Sequence, residues 1–248
     1  MIIESKVGFD RTLKLEWLDI TADLTMQGYS AQEINQKLDE FLMDQIKGKD
    51  ARRKTRTVLL ATWVKTCKEL LPFRSDAFNL LDYIPKEYHI VIHWGMSMAT
   101  YPFFGHMATN IGRLINLQGT VSSVELQRRV KEVYGERQTV SRAVQRLLRT
   151  FIDWEVLNDT GKSGIYAPSN KIFIVDKNLV SWLVEGFLYY NRNSAKSWNE
   201  IVKNPVFFPF DLSSFTLKEM QFSNRIDIIR QGLDEELLFL HNPDKNSN

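Results

Sequence analysis

Arginine, glutamine and hydroxyl side chains recur on one side of a segment near the middle of the chain. The apolar residues of this segment are spaced like one face of an α-helix; they are Val140, Ala143, Val144, Leu147, Leu148 and Phe151. The other face carries Ser141, Arg142, Gln145, Arg146 and Arg149. Guanidinium groups pair with phosphates or with guanine, glutamine pairs with adenine, and hydroxyls bind phosphates. This pattern predicts a helix whose polar face suits a nucleic acid.

Two further helices are predicted ahead of this segment. The first runs from Met107 towards Gly119, which ends it, and Ser122 or Ser123 can cap the second. Gly135 stands where a helix commonly ends on a left-handed residue. A turn over 136–138 follows, and we expect Thr139 to cap the third helix.

A β-hairpin is predicted after the third helix. Strands over 155–158 and 165–167 flank a turn-rich tip that contains Lys162 and Ser163. A β-branched run over 171–175 is expected to extend the same sheet. The order of helices, turn and hairpin resembles the winged helix-turn-helix family, over about seventy residues.

The resemblance implies a DNA-binding role for the central region. In that family the third helix enters the major groove and the hairpin wing touches backbone or minor groove. Carried over by position, the DNA-facing residues would be Gln138, Thr139, Ser141, Arg142, Gln145, Arg146 and Arg149, with Lys162 and Ser163 at the wing tip. Two alternatives stay open: the arginines form an ordinary solvated helix face, or the module binds protein.

A second basic cluster covers residues 47–56, with six basic residues and one acidic residue. Arg52, Arg53 and Arg56 lie at helical spacings that allow them to share a face, and Asp50 is expected to cap their helix. Each phosphate contact would release condensed counterions. We therefore interpret the cluster as a second DNA contact, the alternative being a solvated helix start.

A further resemblance concerns residues 94–104, which read Trp-Gly-Met-Ser-Met-Ala-Thr-Tyr-Pro-Phe-Phe. With a helical region before it and a helix-turn-helix after it, this stretch looks like the small DNA-binding accessory protein of BREX-type phage-defence systems. Its closest matching element is Tyr101-Pro102-Phe103. The resemblance implies a bacterial DNA-binding subunit without catalysis of its own, acting beside a methyltransferase and ATPases.

The sequence contains no recognisable catalytic, metal-binding or cofactor-binding motif. His89 and His93 are four residues apart, but the sequence between them lacks the glutamate of the zinc motif and no third ligand is evident. We therefore expect packed or capping histidines, no metal and no cofactor. Residues 161–163 lack the earlier glycine of a phosphate-binding loop.

Composition favours a folded protein of the cytoplasm. The net charge of +2 excludes a histone-like polycation, and the single cysteine, Cys67, excludes a disulfide framework. The first ten residues lack the basic and then apolar order of a signal peptide. Residues 88–112 contain no Asp, Glu, Lys or Arg, but their histidines and other polar groups favour a buried core over a membrane span.

These observations predict a mainly α protein with a small β-hairpin wing. We expect a helical N-terminal region (1–72), core helices with a winged helix-turn-helix (73–177) and an α or α+β C-terminal region (178–248). The predicted function is non-enzymatic binding of double-stranded DNA, as an accessory subunit of a phage-defence system or a transcriptional regulator. The alternatives are an interaction scaffold that docks other subunits and an unrecognised DNA-processing enzyme.

Overall fold

A computed structural model describes residues 7–191, 194–231 and 235–241 of the chain. Within these residues the protein is mainly helical, as the sequence predicts. The ten α-helices are α1 (Leu15–Met26), α2 (Ala31–Leu42), α3 (Lys49–Trp63), α4 (Leu71–Tyr83), α5 (His89–Thr100), α6 (Pro102–Gln118), α7 (Ser123–Tyr134), α8 (Gln138–Asp153), α9 (Lys177–Tyr190) and α10 (Trp198–Val202). Short 3₁₀ turns cover Lys68–Leu70, Lys86–Tyr88, Pro205–Phe207 and Leu217–Glu219.

Three small sheets accompany the helices in the described part of the chain. Their strands are β1 (Val121–Ser122), β2 (Leu157–Asp159), β3 (Ile165–Pro168), β4 (Ile172–Phe173), β5 (Lys196–Ser197), β6 (Phe210–Asp211), β7 (Ile226–Gln231) and β8 (Glu235–Leu240). The first sheet is antiparallel in the order β1-β3-β2, and the third has the order β5-β8-β7. The second sheet consists of β4 and β6 alone, which are parallel.

The central helices begin and end close to where the sequence places them. Ser122 caps α7 by accepting a hydrogen bond from the amide of Glu125, and Gly119 and Gly135 follow α6 and α7 with positive φ. The cap expected at Thr139 is wrong, because α8 already begins at Gln138 after Arg137. Asp50 likewise lies inside α3 rather than at its N-cap, which is Gly48.

The predicted hairpin is present, with one strand added and one removed. β2 and β3 pair antiparallel on either side of residues 160–164, as expected. β1, which was not predicted, pairs with β3 on its other side and so ties the hairpin to the start of α7. The run over 171–175 does not extend this sheet, because β4 pairs with β6 instead. Two-residue strands carry too little pattern to reveal their partner from sequence.

The uncharged stretch over residues 88–112 forms α5 and most of α6 and is largely buried, as predicted. Trp94, in α5, packs against the rings of Phe104, Phe151 and Phe210. A side chain at Gly112 would overlap the carbonyl oxygen of Pro205, so the glycine permits a close approach of α6 to that segment. In the part of the chain described, no helix is long and apolar enough to cross a membrane.

One continuous hydrophobic core joins the three regions expected from the sequence. It includes Phe9 and Trp63 from the first region, Phe151 from the second, and Phe187 and Leu238 from the third. Residues 1–6 and 242–248, at the outer limits of the first and third regions, lie outside the described residues. The C-terminal region is α+β, since it combines α9 and α10 with β5 to β8.

Candidate nucleic-acid interface

The polar side of α8 faces solvent. The apolar side of the helix is buried, as the spacing of its residues predicts. Gln138, Thr139, Arg142, Gln145 and Arg149 are exposed, whereas Ser141 and Arg146 are half-buried. The first acidic residue of α8 is Asp153, at its last position. The C-terminal turn therefore holds the only carboxylate of this helix.

Arg142 and Arg149 are the two exposed arginines of α8. Within the described residues, neither Arg142 nor Arg149 makes a hydrogen bond or an ion pair with another side chain or with the backbone. They are seven residues apart, which corresponds to two helical turns and about 10 Å along the axis. Gln145 lies between them on the same face. Two unpaired guanidinium groups at this spacing can reach separate phosphates or a phosphate and a base edge.

Arg146 does not belong to this open face, contrary to the prediction. Its Nη1 donates a hydrogen bond to the backbone carbonyl of Asp10 at 2.8 Å. The same N-terminal segment is held at two further points, where the amide of Leu13 donates to Oγ1 of Thr150 and Nε1 of Trp154 donates to the carbonyl of Leu13. Arg146 thus helps to fix the chain that precedes α1 against α8.

The tip of the hairpin is a tight turn with a lysine at its end. Gly161 and Gly164 have positive φ, and Oδ1 of Asp159 accepts a hydrogen bond from the Gly161 amide at 2.9 Å. Lys162 and Ser163 lie between the two glycines and are exposed, as expected. The carbonyl of Gly164 accepts a hydrogen bond from the Ser123 amide, so the turn is fixed relative to the start of α7.

The basic residues of α7 are largely neutralised by acidic neighbours. Arg128 pairs with Glu125 and Glu132, and Arg129 also pairs with Glu125. The hydrogen bonds from these two arginines lower the pKa of Glu125 to about 2. The unpaired positive charge of these two helices therefore lies mainly on α8 rather than on α7.

The second basic cluster, at the start of α3, is only partly available. Nε of Arg52 donates to Oδ1 of Asp39 at 3.0 Å, and Nη1 of Arg56 donates to the carbonyl of Asn35 at 2.9 Å. The side chains of Arg52 and Arg56 are 11% and 12% exposed, against 61% for Arg53, which pairs with Asp50. The three arginines therefore do not form one solvent face, because two of them attach α3 to α2.

Asp19, His89 and His93 form a group of three ionisable residues outside the polar face of α8. The sequence alone indicates the two histidines as a pair but not the aspartate. Asp19 of α1 contacts both His89 and His93 of α5. Burial opposes the charge on Asp19, but the two histidines outweigh it and hold the pKa of this carboxyl well below its ordinary value. The i, i+4 spacing of the histidines is visible in the sequence, whereas their partner lies 70 residues away and is found only in the folded chain.

Comparisons of the chain with models of protein families, with curated proteins and with solved structures find no match.

Proposed function

We propose that this protein binds double-stranded DNA through the polar face of α8 and the tip of the β2–β3 hairpin, without catalysing a reaction on the DNA. The observation that carries the proposal is the pair of exposed, unpaired arginines Arg142 and Arg149, with Gln145 between them. Unpaired surface arginines can contact phosphates without first breaking an ion pair within the protein. The order of α6, α7, α8 and the hairpin agrees with the resemblance to winged helix-turn-helix proteins.

The chemistry favours duplex DNA over double-stranded RNA. The major groove of B-form DNA admits an α-helix, whereas the deep and narrow major groove of A-form RNA does not. An extended residue such as Lys162 at the hairpin tip can contact the backbone beside the groove that α8 occupies. The role of an accessory subunit in a phage-defence system, or of a transcriptional regulator, is part of the same proposal.

The experiment is a titration of labelled duplex DNA by fluorescence anisotropy at several salt concentrations, with the double variant Arg142→Ala/Arg149→Ala. We expect the wild-type affinity to fall linearly with salt on logarithmic axes, by about 0.9 per phosphate contacted. The double variant should bind about tenfold to a hundredfold more weakly and lower the salt slope by up to about 1.8. Arg146 is left unchanged, because its loss would also disturb the fold.

The matched control is Lys218→Ala/Arg230→Ala, which removes two exposed basic residues far along the chain in the C-terminal region. It makes the same change in net charge, so a general electrostatic effect would weaken both double variants equally. Equal binding by wild type and Arg142→Ala/Arg149→Ala, or no salt-dependent binding to any duplex, would overturn the proposal. The DNA is inspected after incubation with and without Mg²⁺, and cleavage would favour a DNA-processing enzyme.

A protein-docking role is the second candidate, and one surface feature favours it. Phe173 and Val175 are 69% and 76% exposed, while the intervening Ile174 is buried. The two side chains therefore point outward from the same extended segment. Exposed apolar residues next to each other commonly mark a contact with another protein. A stable complex with another subunit and no DNA affinity would establish this function instead.

A further inference from the structure

Two histidines and an aspartate converge where α1 crosses α5. Nδ1 of His89 lies 2.8 Å from Oδ1 of Asp19, and Nε2 of His93 lies 2.9 Å from the same oxygen. These three atoms all lie within 4.8 Å of one another. His93 is fully buried, and His89 and Asp19 are each largely covered. Two nitrogens and a carboxylate oxygen in this arrangement are a donor set that binds transition metal ions in proteins.

The second nitrogen of His89 strengthens this interpretation. Nε2 of His89 lies 3.2 Å from the carbonyl oxygen of Ile84. A histidine that ligates a metal through one nitrogen commonly donates its other N–H to a backbone carbonyl, and this bond fixes the ring. With a metal on Nδ1, neutral His89 would satisfy both contacts. Without a metal, it needs a proton on each nitrogen to do so.

The burial of His93 is compensated by few polar contacts. Nδ1 of His93 is buried and has no hydrogen-bond partner within the described residues. The ring packs edge to face against Trp63 at 5.5 Å between centroids. Among the residues that the structure describes, one hydrogen bond to Asp19, whose oxygen is shared with His89, is therefore the only hydrogen bond of this fully buried imidazole. A bond from Nε2 to a metal ion would compensate this burial more strongly.

The geometry points to a binding site for a divalent transition metal ion of the zinc type, with Asp19, His89 and His93 as ligands. Metal bonds of about 2.0–2.1 Å at tetrahedral angles separate ligand atoms by roughly 3.3 Å. The two distances from Oδ1 of Asp19 to the histidine nitrogens, 2.8 and 2.9 Å, therefore need to lengthen by about half an ångström to admit the ion. Imidazole ligands favour zinc, copper, nickel or iron, whereas Mg²⁺ and Ca²⁺ prefer sites made of oxygen.

The ion would act structurally, by linking α1 to α5. The segment immediately before α1 is the one that Arg146, Thr150 and Trp154 hold against α8. An ion on Asp19 would therefore fix the helix that directly follows this segment. This inference does not depend on DNA binding, since it concerns only the contact between two helices.

The test uses the full chain without a polyhistidine tag, stripped with a chelator and titrated with Co²⁺, whose visible absorption reports coordination by protein ligands. We expect saturation at one equivalent and displacement of the signal by Zn²⁺. Asp19→Asn and His93→Gln should each weaken Co²⁺ binding by at least about 100-fold, since they remove ligands directly. Zn²⁺ should raise the melting temperature of the wild type by about 5 °C or more, and Mg²⁺ should not.

The control is His241→Gln, which alters another His–Asp pair of similar length, between His241 and Asp227 at 2.8 Å, but on the surface. It should bind Co²⁺ like the wild type. A wild type that shows neither Co²⁺ absorption nor a melting shift with Zn²⁺ would overturn the inference, as would unchanged binding in Asp19→Asn. Should the ligand variants fail to fold, the wild-type stoichiometry and the contrast between Zn²⁺ and Mg²⁺ still decide the question.

Discussion

Arginines that look alike in the sequence have different surroundings in this protein. Arg142 and Arg149 reach solvent from α8, whereas Arg146, on the same helix, donates to the backbone carbonyl of Asp10. In α3, Arg52 is held by Asp39 and two backbone carbonyls, and the adjacent Arg53 reaches solvent. A partly buried arginine with several acceptors stabilises the fold, whereas an exposed one is available to a ligand.

The first prediction, at the residue scale, contrasts Arg52→Ala with Arg53→Ala. Arg52→Ala should lower the free energy of unfolding by about 2–3 kcal/mol, because charge-assisted hydrogen bonds between α2 and α3 are lost. Arg53→Ala should change it by less than about 0.5 kcal/mol, since its ion pair with Asp50 is exposed to solvent. Unfolding in urea, followed by circular dichroism, measures both changes.

These two variants remove the same charge from neighbouring positions, so each serves as the control for the other. Equal losses of stability would contradict the assignment of Arg52 to the fold. The same proteins can be added to the DNA titration. Weaker binding by Arg53→Ala at unchanged stability would support a second DNA contact at the start of α3.

At the scale of elements, α6 packs against α7 through the half-buried ring of His106. Nδ2 of Asn110 lies 3.0 Å from Nε2 of His106 and donates to it, so this nitrogen carries no proton. The His106 ring packs edge to face against Tyr134 of α7, with 5.5 Å between centroids. Burial, aided by the charge of Arg113, lowers the pKa of His106 below its ordinary value. The packing of the two helices therefore depends on a neutral histidine.

The second prediction is that acidification weakens this contact. Because the pKa of His106 is lower in the folded protein, the unfolded chain takes up the proton first as the pH falls below about 6.5. Stability should then fall by up to about 1.4 kcal/mol per pH unit from this group, until the folded protein is protonated as well. His106→Gln retains an acceptor for Asn110 and should flatten the dependence between pH 7.5 and 5.5, as measured by urea unfolding.

His241→Gln is the matched control for this experiment, because His241 is exposed. The flattening should be confined to the variant at position 106. A variant at position 106 with the same slope as the wild type would show that His106 does not titrate differently in the two states.

At the scale of the whole molecule, ion pairs attach the segment before β7 to the helices α4 and α9. Nε of Arg225 donates to Oε1 of Glu185 at 2.6 Å, and its Nη2 donates to Oε2 of Glu185 and to Asp76. Glu185 lies in α9 and is buried, and Oε2 also accepts a hydrogen bond from Ser223. Residues from α4, α9 and the segment before β7 therefore meet at one guanidinium group.

The third prediction concerns this network. Arg225→Met should lower the free energy of unfolding by about 2–4 kcal/mol, because it leaves the carboxylate of Glu185 buried without its cation. Asp76→Asn should cost less than about 1 kcal/mol, since the Asp76 side chain is half-buried and keeps much of its contact with solvent. Combining Arg225→Met with Glu185→Gln should restore part of the loss, since the buried charge is then removed. Denaturant unfolding of wild type, the three single variants Arg225→Met, Asp76→Asn and Glu185→Gln, and the double variant measures these differences. A double variant as unstable as the sum of its single variants would contradict this account.

The sequence by itself determined the elements whose signals are local. Helix periodicity predicted α8 and its buried face, glycine and serine predicted the ends of α6 and α7, and the turn-rich residues 159–164 predicted the hairpin. It also predicted that the uncharged residues 88–112 form a core. These predictions succeeded because spacing, capping and turn preferences act between residues a few positions apart. The DNA-binding function remains a prediction from the same residues.

Only the tertiary structure decided which polar residues are available and which are engaged. Arg146 donates a hydrogen bond to the carbonyl of Asp10, which lies 136 positions away in the chain. Arg52 of α3 likewise donates to Asp39 of α2. Asp19 joins His89 and His93 to make a group of three from two distant helices. Such contacts depend on how helices pack, and nothing in the local pattern of the chain specifies their partners. The sequence therefore predicts which residues lie on the polar side of α8. The fold decides which of their side chains are engaged within the protein and which are available to a ligand.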